Sequence, residues 1–517
     1  MRIGLLTTGE SRLWCDRLVR GLPQHEFELY AMHHEPGPHP EAGAERAVVA
    51  HTAELWAPPE GRARRRPGRR ARRRFAEHLG RLMTGVCAAD GPAFTDGLHG
   101  LAGLARDHGG LGAALRSEPA LRVVEAACRV PGVSRTAAAA TVADLLAFTD
   151  ELERALRPLS LDWYESLGAA DVCHAAGGGV PALPGLVAKR FFGLPLLVTE
   201  YGVPLRAHYL RGPHGPAGRP AVRALLAGFH QRLAAEVYRE ADLLTPGNAH
   251  VRRWQERCGA PRDRQRTVYP GMEADRFATV GEATEQGDPD TVVWVGRAEP
   301  AKDLIGLLHA FAEVRRHAPQ ARLRLFVTGA ARAYLADCRS LAAQLFPDEA
   351  ADAVSAGESP VGFEELGGPE APTAAEAYGT GRIAVLSSVV EGFPVGLVEA
   401  MLSGRATVST DVGAVREVVG GTGLVVPPRN PKAFADSCLA LLKDPERAQR
   451  LGAAARARAL ELFDVEQTVA AFHESYLHLV AHRAPAPAAT PFAAPPEARV
   501  PGHWTTPTWA AAPEAAV

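Results

Sequence analysis

The chain has 517 residues, too long for one ordinary hydrophobic core, so two domains with additional segments are expected. Lys and Arg number 57 against 59 Asp and Glu, a net charge of −2, and this balance supplies no global attraction to nucleic acid or to an anionic membrane. Seven cysteines are scattered with neither a CxxC pair nor metal-ligand spacing, the usage of reduced cytosolic thiols rather than of a disulfide framework.

The N-terminus leads into a strand predicted over Arg2 to Thr8, with no signal-peptide h-region, and no apolar run reaches about eighteen residues. A soluble, cytoplasmic protein is therefore expected. A helix over Leu13 to Leu22 and a strand over Glu26 to Met32 follow, the opening of a parallel, doubly wound α/β sheet. Residues 57–150 interrupt this alternation with Arg-rich and then Ala/Leu-rich helical sequence, including a run from Ser134 to Leu156. Nine arginines lie between residues 62 and 74; a solvated insertion and a docking site for anionic lipid or polysaccharide are both open readings of that run. Alternation resumes with a strand over Asp171 to Ala175, a helix over Pro184 to Phe192, and strands over Pro195 to Thr199 and Asp242 to Thr245. These elements make residues 1–280 a first sheet domain. Gly281 to Asp290 reads as a polar linker, and strands near 291, 321, 382, 405 and 423 alternate with helices in a second domain over residues 291–464. A helix from Val465, within residues 465–482, is expected to cross back onto the first domain, and the Pro/Ala-rich residues 483–517 to be disordered.

Two segments of the second domain carry chemistry. Thr291 to Val295 is a buried-strand run followed by Gly296, Arg297 and, five residues on, Lys302. Ile383 to Leu386 is a second such run, broken by Gly392 and Pro394 before helical spacing begins at Val395. Glu391 thus stands at a strand's C-terminal end and Glu399 early in the next helix, so the turn lets the two acids grip different parts of one ligand. The helix start between them offers free amides and a positive dipole end to a phosphate.

The glutamate, seven residues, glutamate pattern in EGFPVGLVE, with Gly296, Arg297 and Lys302 upstream, resembles the donor site of the family 4 retaining glycosyltransferases. Segments from Arg17 to Met32, from Gly185 to Leu210 and from Tyr269 to Phe277 are similar to the subgroup typified by the Pel exopolysaccharide glycosyltransferase, which also has a helical insertion in its first domain. The resemblance implies a GT-B fold: two Rossmann-like domains facing across a cleft. It implies retaining, metal-independent hexosyl transfer from a nucleotide diphosphate sugar, with a UDP-sugar the expected donor, to a glycan acceptor. Glu391 would then hold sugar hydroxyls, Glu399 the ribose, and Arg297 with Lys302 the diphosphate. Gly9, Gly296, Gly392, Phe393, Pro394 and Val395 would line the donor site, with Tyr201, His174 and Arg206 on the acceptor side. No cofactor, metal or nucleic acid is expected, while a membrane polysaccharide synthase complex, met at the inner face of the membrane, is a further candidate partner.

Two departures concern the first domain. The family's glycine-rich loop after the first strand is reduced here to Thr7, Thr8, Gly9, Glu10 and Ser11, and Tyr201 stands where relatives carry a histidine. Both leave open a degenerate member that binds nucleotide sugar or glycan within a polysaccharide assembly. Gly177 to Gly179 lacks the dinucleotide fingerprint, and the Asp288, Asp290 pair lies in the predicted linker, away from any strand end where it could chelate a metal.

Overall fold

The computed structural model describes residues 1–8, 12–33, 47–54, 68–160, 164–210, 216–283, 287–347 and 359–482. The first sheet is built from β1 (Arg2–Thr8), β2 (Glu26–His33), β3 (Ala47–Glu54), β4 (Val172–Ala176), β5 (Leu196–Glu200) and β6 (Leu243–Pro246). All its pairings are parallel and the order is β3-β2-β1-β4-β5-β6. The strand core is apolar because both faces are covered: Ile3, Leu5 and Leu6 of β1 and every residue of β4 and β5 are buried. The second sheet contains β7 (Asp288–Ala298), β8 (Arg322–Ala330), β9 (Val361–Glu365), β10 (Gly381–Leu386), β11 (Ala406–Thr410) and β12 (Leu424–Val426). Its order, β12-β11-β10-β7-β8-β9, repeats the topology of the first. In such sheets the chain leaves in opposite directions from the two central strands, opening a crevice at their C-terminal ends. In the second sheet those strands are β7 and β10.

Between β3 and β4 lie the helices that the composition anticipates, among them α1 (Arg69–Ala88), α2 (Gly91–His108), α3 (Glu118–Cys128) and α4 (Val142–Leu156). Their apolar faces, including Leu79, Leu82, Phe94, Leu98, Phe148 and Leu152, join one core with Leu6 and Tyr30 of the sheet. The crossing of α1 and α2 is close because Gly97 packs on the α1 backbone; a Cβ there would lie 2.3 Å from the Leu82 nitrogen. The run predicted as one helix from Ser134 to Leu156 is two, since Thr141 restarts it with a capping box: its hydroxyl accepts from Asp144 N at 3.3 Å while Asp144 accepts from Thr141 N at 3.0 Å. Arg69 to Arg74 form the exposed opening turns of α1, whereas residues 62–67 of the arginine run lie outside the described residues.

Strands β3 and β9 were not anticipated. Strand β9 is a half-exposed edge, so its residues lack a continuous apolar run. Strand β7 begins at Asp288, inside the predicted linker. Asp288 acts locally, accepting from the Asp290 amide at 3.1 Å and from the Thr291 hydroxyl at 2.7 Å, while Asp290 accepts from the Gln320 side-chain amide at 3.3 Å. The last described helix, α5 (Val465–Ala481), buries Phe472, Tyr476 and Leu479 against Ile3, Leu5, Leu18 and Phe27 of the first domain. Among the described residues no helix is long and apolar enough to cross a membrane. The predicted disordered tail, residues 483–517, lies outside the described residues.

Candidate active site

The ends of β7 and β10 are lashed together. After β7 a turn at Pro300–Lys302 leads to Asp303, which adopts a left-handed φ of 49° and caps the helix Leu304–His317 by accepting from Gly306 N at 3.2 Å. Val389 N donates to the Ala301 carbonyl at 2.9 Å and the Ser387 hydroxyl to the Lys302 carbonyl at 2.7 Å. This places the Lys302 ammonium on Glu391 Oε1, which also accepts from the Ser388 hydroxyl at 2.8 Å. Glu391 is buried and the Lys302 side chain is 21% exposed, so the pair is largely shielded yet reachable.

Arg206, from the short helix Pro204–Leu210 of the first domain, donates through Nη2 to the Glu391 carbonyl at 2.8 Å. Burial lowers its guanidinium pKa, partly offset by Glu391. Under the same loop Gly413 has a φ of 58°, and a Cβ there would come within 2.5 Å of the Glu391 carbonyl oxygen. Any side chain would therefore push Glu391 out of place.

Gly392, Phe393 and Pro394 turn the chain into the helix Val395–Leu402, whose amino end has no side-chain cap. Phe393 is anchored edge-on to Phe463 at 5.6 Å between centroids, and Val395 is exposed. One turn further, the Glu399 carboxylate accepts no hydrogen bond among the described residues. Burial raises its pKa, while Arg276 and Arg17 pull it down. The Tyr378 hydroxyl, raised by burial and by Glu399, donates to the Gly396 carbonyl at 2.7 Å. The two acids are thus unlike: Glu391 is engaged, and Glu399 is free to accept from a ligand.

Other predicted residues are placed differently. Arg297 follows an irregularity in the β7–β8 register and is 70% exposed; among the described residues its ion-pair partner is Glu299, at 3.9 Å, and it pairs with neither Lys302 nor Glu391. Gly296 lies against the Trp294 ring. Gly9 lies outside the described residues. Tyr201 presents its backbone to the loop after β10, its carbonyl oxygen 3.5 Å from where a Cβ on Gly392 would sit. The phenol instead points into the first domain, edge-on to Trp14 at 5.7 Å, with a buried hydroxyl that meets no partner at hydrogen-bonding geometry among the described residues. Burial holds its pKa well above the usual phenol value.

His174 does not line the cleft. It is fully buried, with Nδ1 2.6 Å from the Tyr476 hydroxyl and Nε2 2.7 Å from the Thr199 hydroxyl. Burial lowers its pKa from 6.5 to about 3. The unfolded imidazole protonates first as pH falls, so the folded state loses about 1.4 kcal/mol per pH unit from 6.5 towards 3. Replacing His174 with Gln is expected to remove that slope from the pH dependence of urea stability. An undiminished slope would assign it to other groups.

The Gly177 to Gly179 cluster also has a structural cause. Gly178 N donates to Glu200 Oε1 at 2.9 Å, so close that a Cβ would lie 2.4 Å from that oxygen. Glu200 is buried and also accepts from Tyr238 and Gln255, each at 2.7 Å. Sequence reading gave no signal for Arg17, Ser388 or Glu417. Among the described residues no group of three or more His, Cys, Asp or Glu is placed to hold a metal ion.

Residues 289–444 match the family described as Glycosyl transferases group 1, and residues 7–263 match a domain of unknown function, DUF3492. The D-inositol 3-phosphate glycosyltransferase of Frankia alni is 31% identical over 333 residues, covering 60% of this chain and 78% of that protein. The chain belongs to the glycosyl transferases group 1 family. A second relative of the same description, from Thermobispora bispora, is 29% identical over 313 residues, covering 56% of this chain and 67% of its own. Sucrose-phosphate synthase from Thermosynechococcus elongatus superposes with a TM-score of 0.56 at 16% identity, over 93% of this chain and 99% of that one. Anabaena HepE in complex with UDP and glucose gives 0.55 at 13% identity, over 92% and 100%. These likenesses show the fold: this group 1 glycosyltransferase is a mixed α/β protein of GT-B type, with two Rossmann-like domains.

Proposed function

We propose that the protein transfers a hexosyl group, with retention and without a metal, from a UDP-sugar to a glycan acceptor. The observation that carries this reading is the Lys302, Ser388, Glu391 cluster at the paired ends of β7 and β10, one turn from the open carboxylate of Glu399. A shielded ammonium at a helix entrance suits the charge that grows on a departing diphosphate, and needs no reorganisation as the bond breaks. Glu391 then turns to the sugar hydroxyls and Glu399 to the ribose. The choice of UDP draws on HepE, solved with UDP and glucose and also with UDP-glucose. A setting in extracellular polysaccharide synthesis, with a cytoplasmic enzyme at the inner face of the membrane beside a synthase complex, rests on the Pel-like sequence segments.

Titration with UDP and UDP-sugars, paired with donor turnover, tests the assignment. Glu399→Gln is expected to weaken free UDP about tenfold, the effect of one charge-assisted hydrogen bond. Glu391→Gln should leave free UDP within about twofold and weaken the UDP-sugar by about tenfold. Equal losses of free UDP in both variants would refute the division of roles.

A second reading, a nucleotide-sugar-binding subunit without turnover, is favoured by Tyr201, whose enclosed phenol gives the sugar no partner. UDP binding without donor hydrolysis or transfer would select it.

A further inference from the structure

Outside the donor site, one carboxylate of the second domain reaches two groups beyond its own sheet. Glu417 lies in the short helix Val415–Val419. Its Oε2 accepts from the Ala249 amide at 2.8 Å and its Oε1 from the Tyr269 hydroxyl at 2.8 Å. Ala249 opens the helix Ala249–Arg257 directly after β6 of the first domain, where the Asn248 side chain already accepts from Val251 N at 2.8 Å. Glu417 therefore caps a second amide of that terminus from across the cleft, with its charge aligned to the helix dipole. Tyr269 lies in the segment joining the domains, its ring edge-on to Phe463 at 5.1 Å. Burial and Glu417 push its pKa up to about 12, so it remains a donor throughout the neutral range.

The same element carries the donor loop. Ala414 N donates to the Gly392 carbonyl at 3.1 Å, one residue before Glu417's helix begins. Arg458 holds that helix by donating to the Val418 and Glu417 carbonyls, each at 2.8 Å. On the facing side, Gly247 N donates to the Glu200 carbonyl at 2.8 Å, tying the capped helix to the segment whose Tyr201 backbone meets Gly392. Arg206 supplies a second bridge to the Glu391 carbonyl. Both bridges thus end on one rigid unit, the Glu391 to Val419 segment.

We propose that Glu417 is a positioning residue that latches the cleft and sets the acceptor-side domain in register with the Glu391 loop. This rests on the donor-site reading above. Nucleotide binding needs only the second domain, whereas transfer needs both, so the latch should act on turnover while leaving UDP affinity alone.

The test uses Glu417→Ala and Tyr269→Phe in the full chain, the second keeping the ring on Phe463 and removing one of the two bonds. Spin labels on the two domains read the cleft distance, calorimetry reads UDP, and kinetics read kcat and KM. Glu417→Ala is expected to broaden the distance distribution, leave UDP affinity within about twofold and lower kcat about tenfold, with Tyr269→Phe shifting both in the same direction by less. Unchanged distances in folded Glu417→Ala protein would overturn the latch, as would lost UDP affinity with an unaltered cleft. Should the unmodified protein bind no UDP, the donor-site reading fails, and the distance distribution still decides the latch.

Discussion

Replacing Lys302 with alanine should weaken UDP binding ten- to hundredfold and lower donor turnover by about a hundredfold or more. A charge-assisted hydrogen bond is worth roughly 1.5 to 3 kcal/mol in binding, and removing one preorganised donor to developing negative charge costs roughly a hundredfold or more in rate. Lys302 is held where both losses apply, because its loop is bonded to the β10 loop through Ala301 and Ser387. Deleting it also leaves the buried Glu391 carboxylate, among the described residues, with the Ser388 hydroxyl alone, an uncompensated buried charge. Arg297→Ala should lose less, since a guanidinium 70% exposed must be drawn from solvent and ordered before it meets phosphate. Calorimetry and initial rates on both variants check the ranking. A larger loss from Arg297 than from Lys302 would place the diphosphate on the other side of the β7 turn.

The strands that carry Lys302 and Glu391 at their ends were legible in the sequence because their signal is local. Buried strands such as Thr291 to Val295 and Ile383 to Leu386 announce themselves as continuous apolar runs, and function collects where they end. Lys302 lies four residues past the end of β7 at Ala298 and Glu391 five past the end of β10 at Leu386, and a turn residue marks each exit. What stayed hidden depends on contacts between distant segments. Nothing around Glu417 indicates that its partners are an amide and a phenol 168 and 148 positions earlier. Nor does the sequence say which way a tyrosine in a strand-end turn will point. Tyr201 could face substrate or core, and Trp14, from the other side of the sheet domain, decides it. The expectation that His174 lies on the acceptor side fails for a similar reason. Its partner Tyr476 lies 302 residues away on a helix whose docking only the folded chain reveals.

That docking gives the largest expected loss of stability. Phe472 is fully buried, with its ring 5.3 Å from Trp14 and 5.4 Å from His174 between centroids. Four residues on, Tyr476 continues the same face of α5 and bonds His174. Phe472→Ala should destabilise the first domain by about 3 to 5 kcal/mol, the range for emptying a buried phenylalanine site. This is a large share of the ~5 to 15 kcal/mol that holds a typical protein folded. Because the second sheet has its own core around Trp294, Leu308 and Leu325, the loss should fall on one of two unfolding transitions. Hydrogen exchange read by mass spectrometry separates them: peptides from β1 and from α5 should exchange faster in the variant, while peptides from β7 and β10 should not. If the proposed donor site is right, UDP binding should survive, since the Lys302, Ser388, Glu391 cluster lies wholly in the second domain. Uniform acceleration across both sheets would mean that the domains unfold as one unit, and α5 would then be part of a single cooperative core.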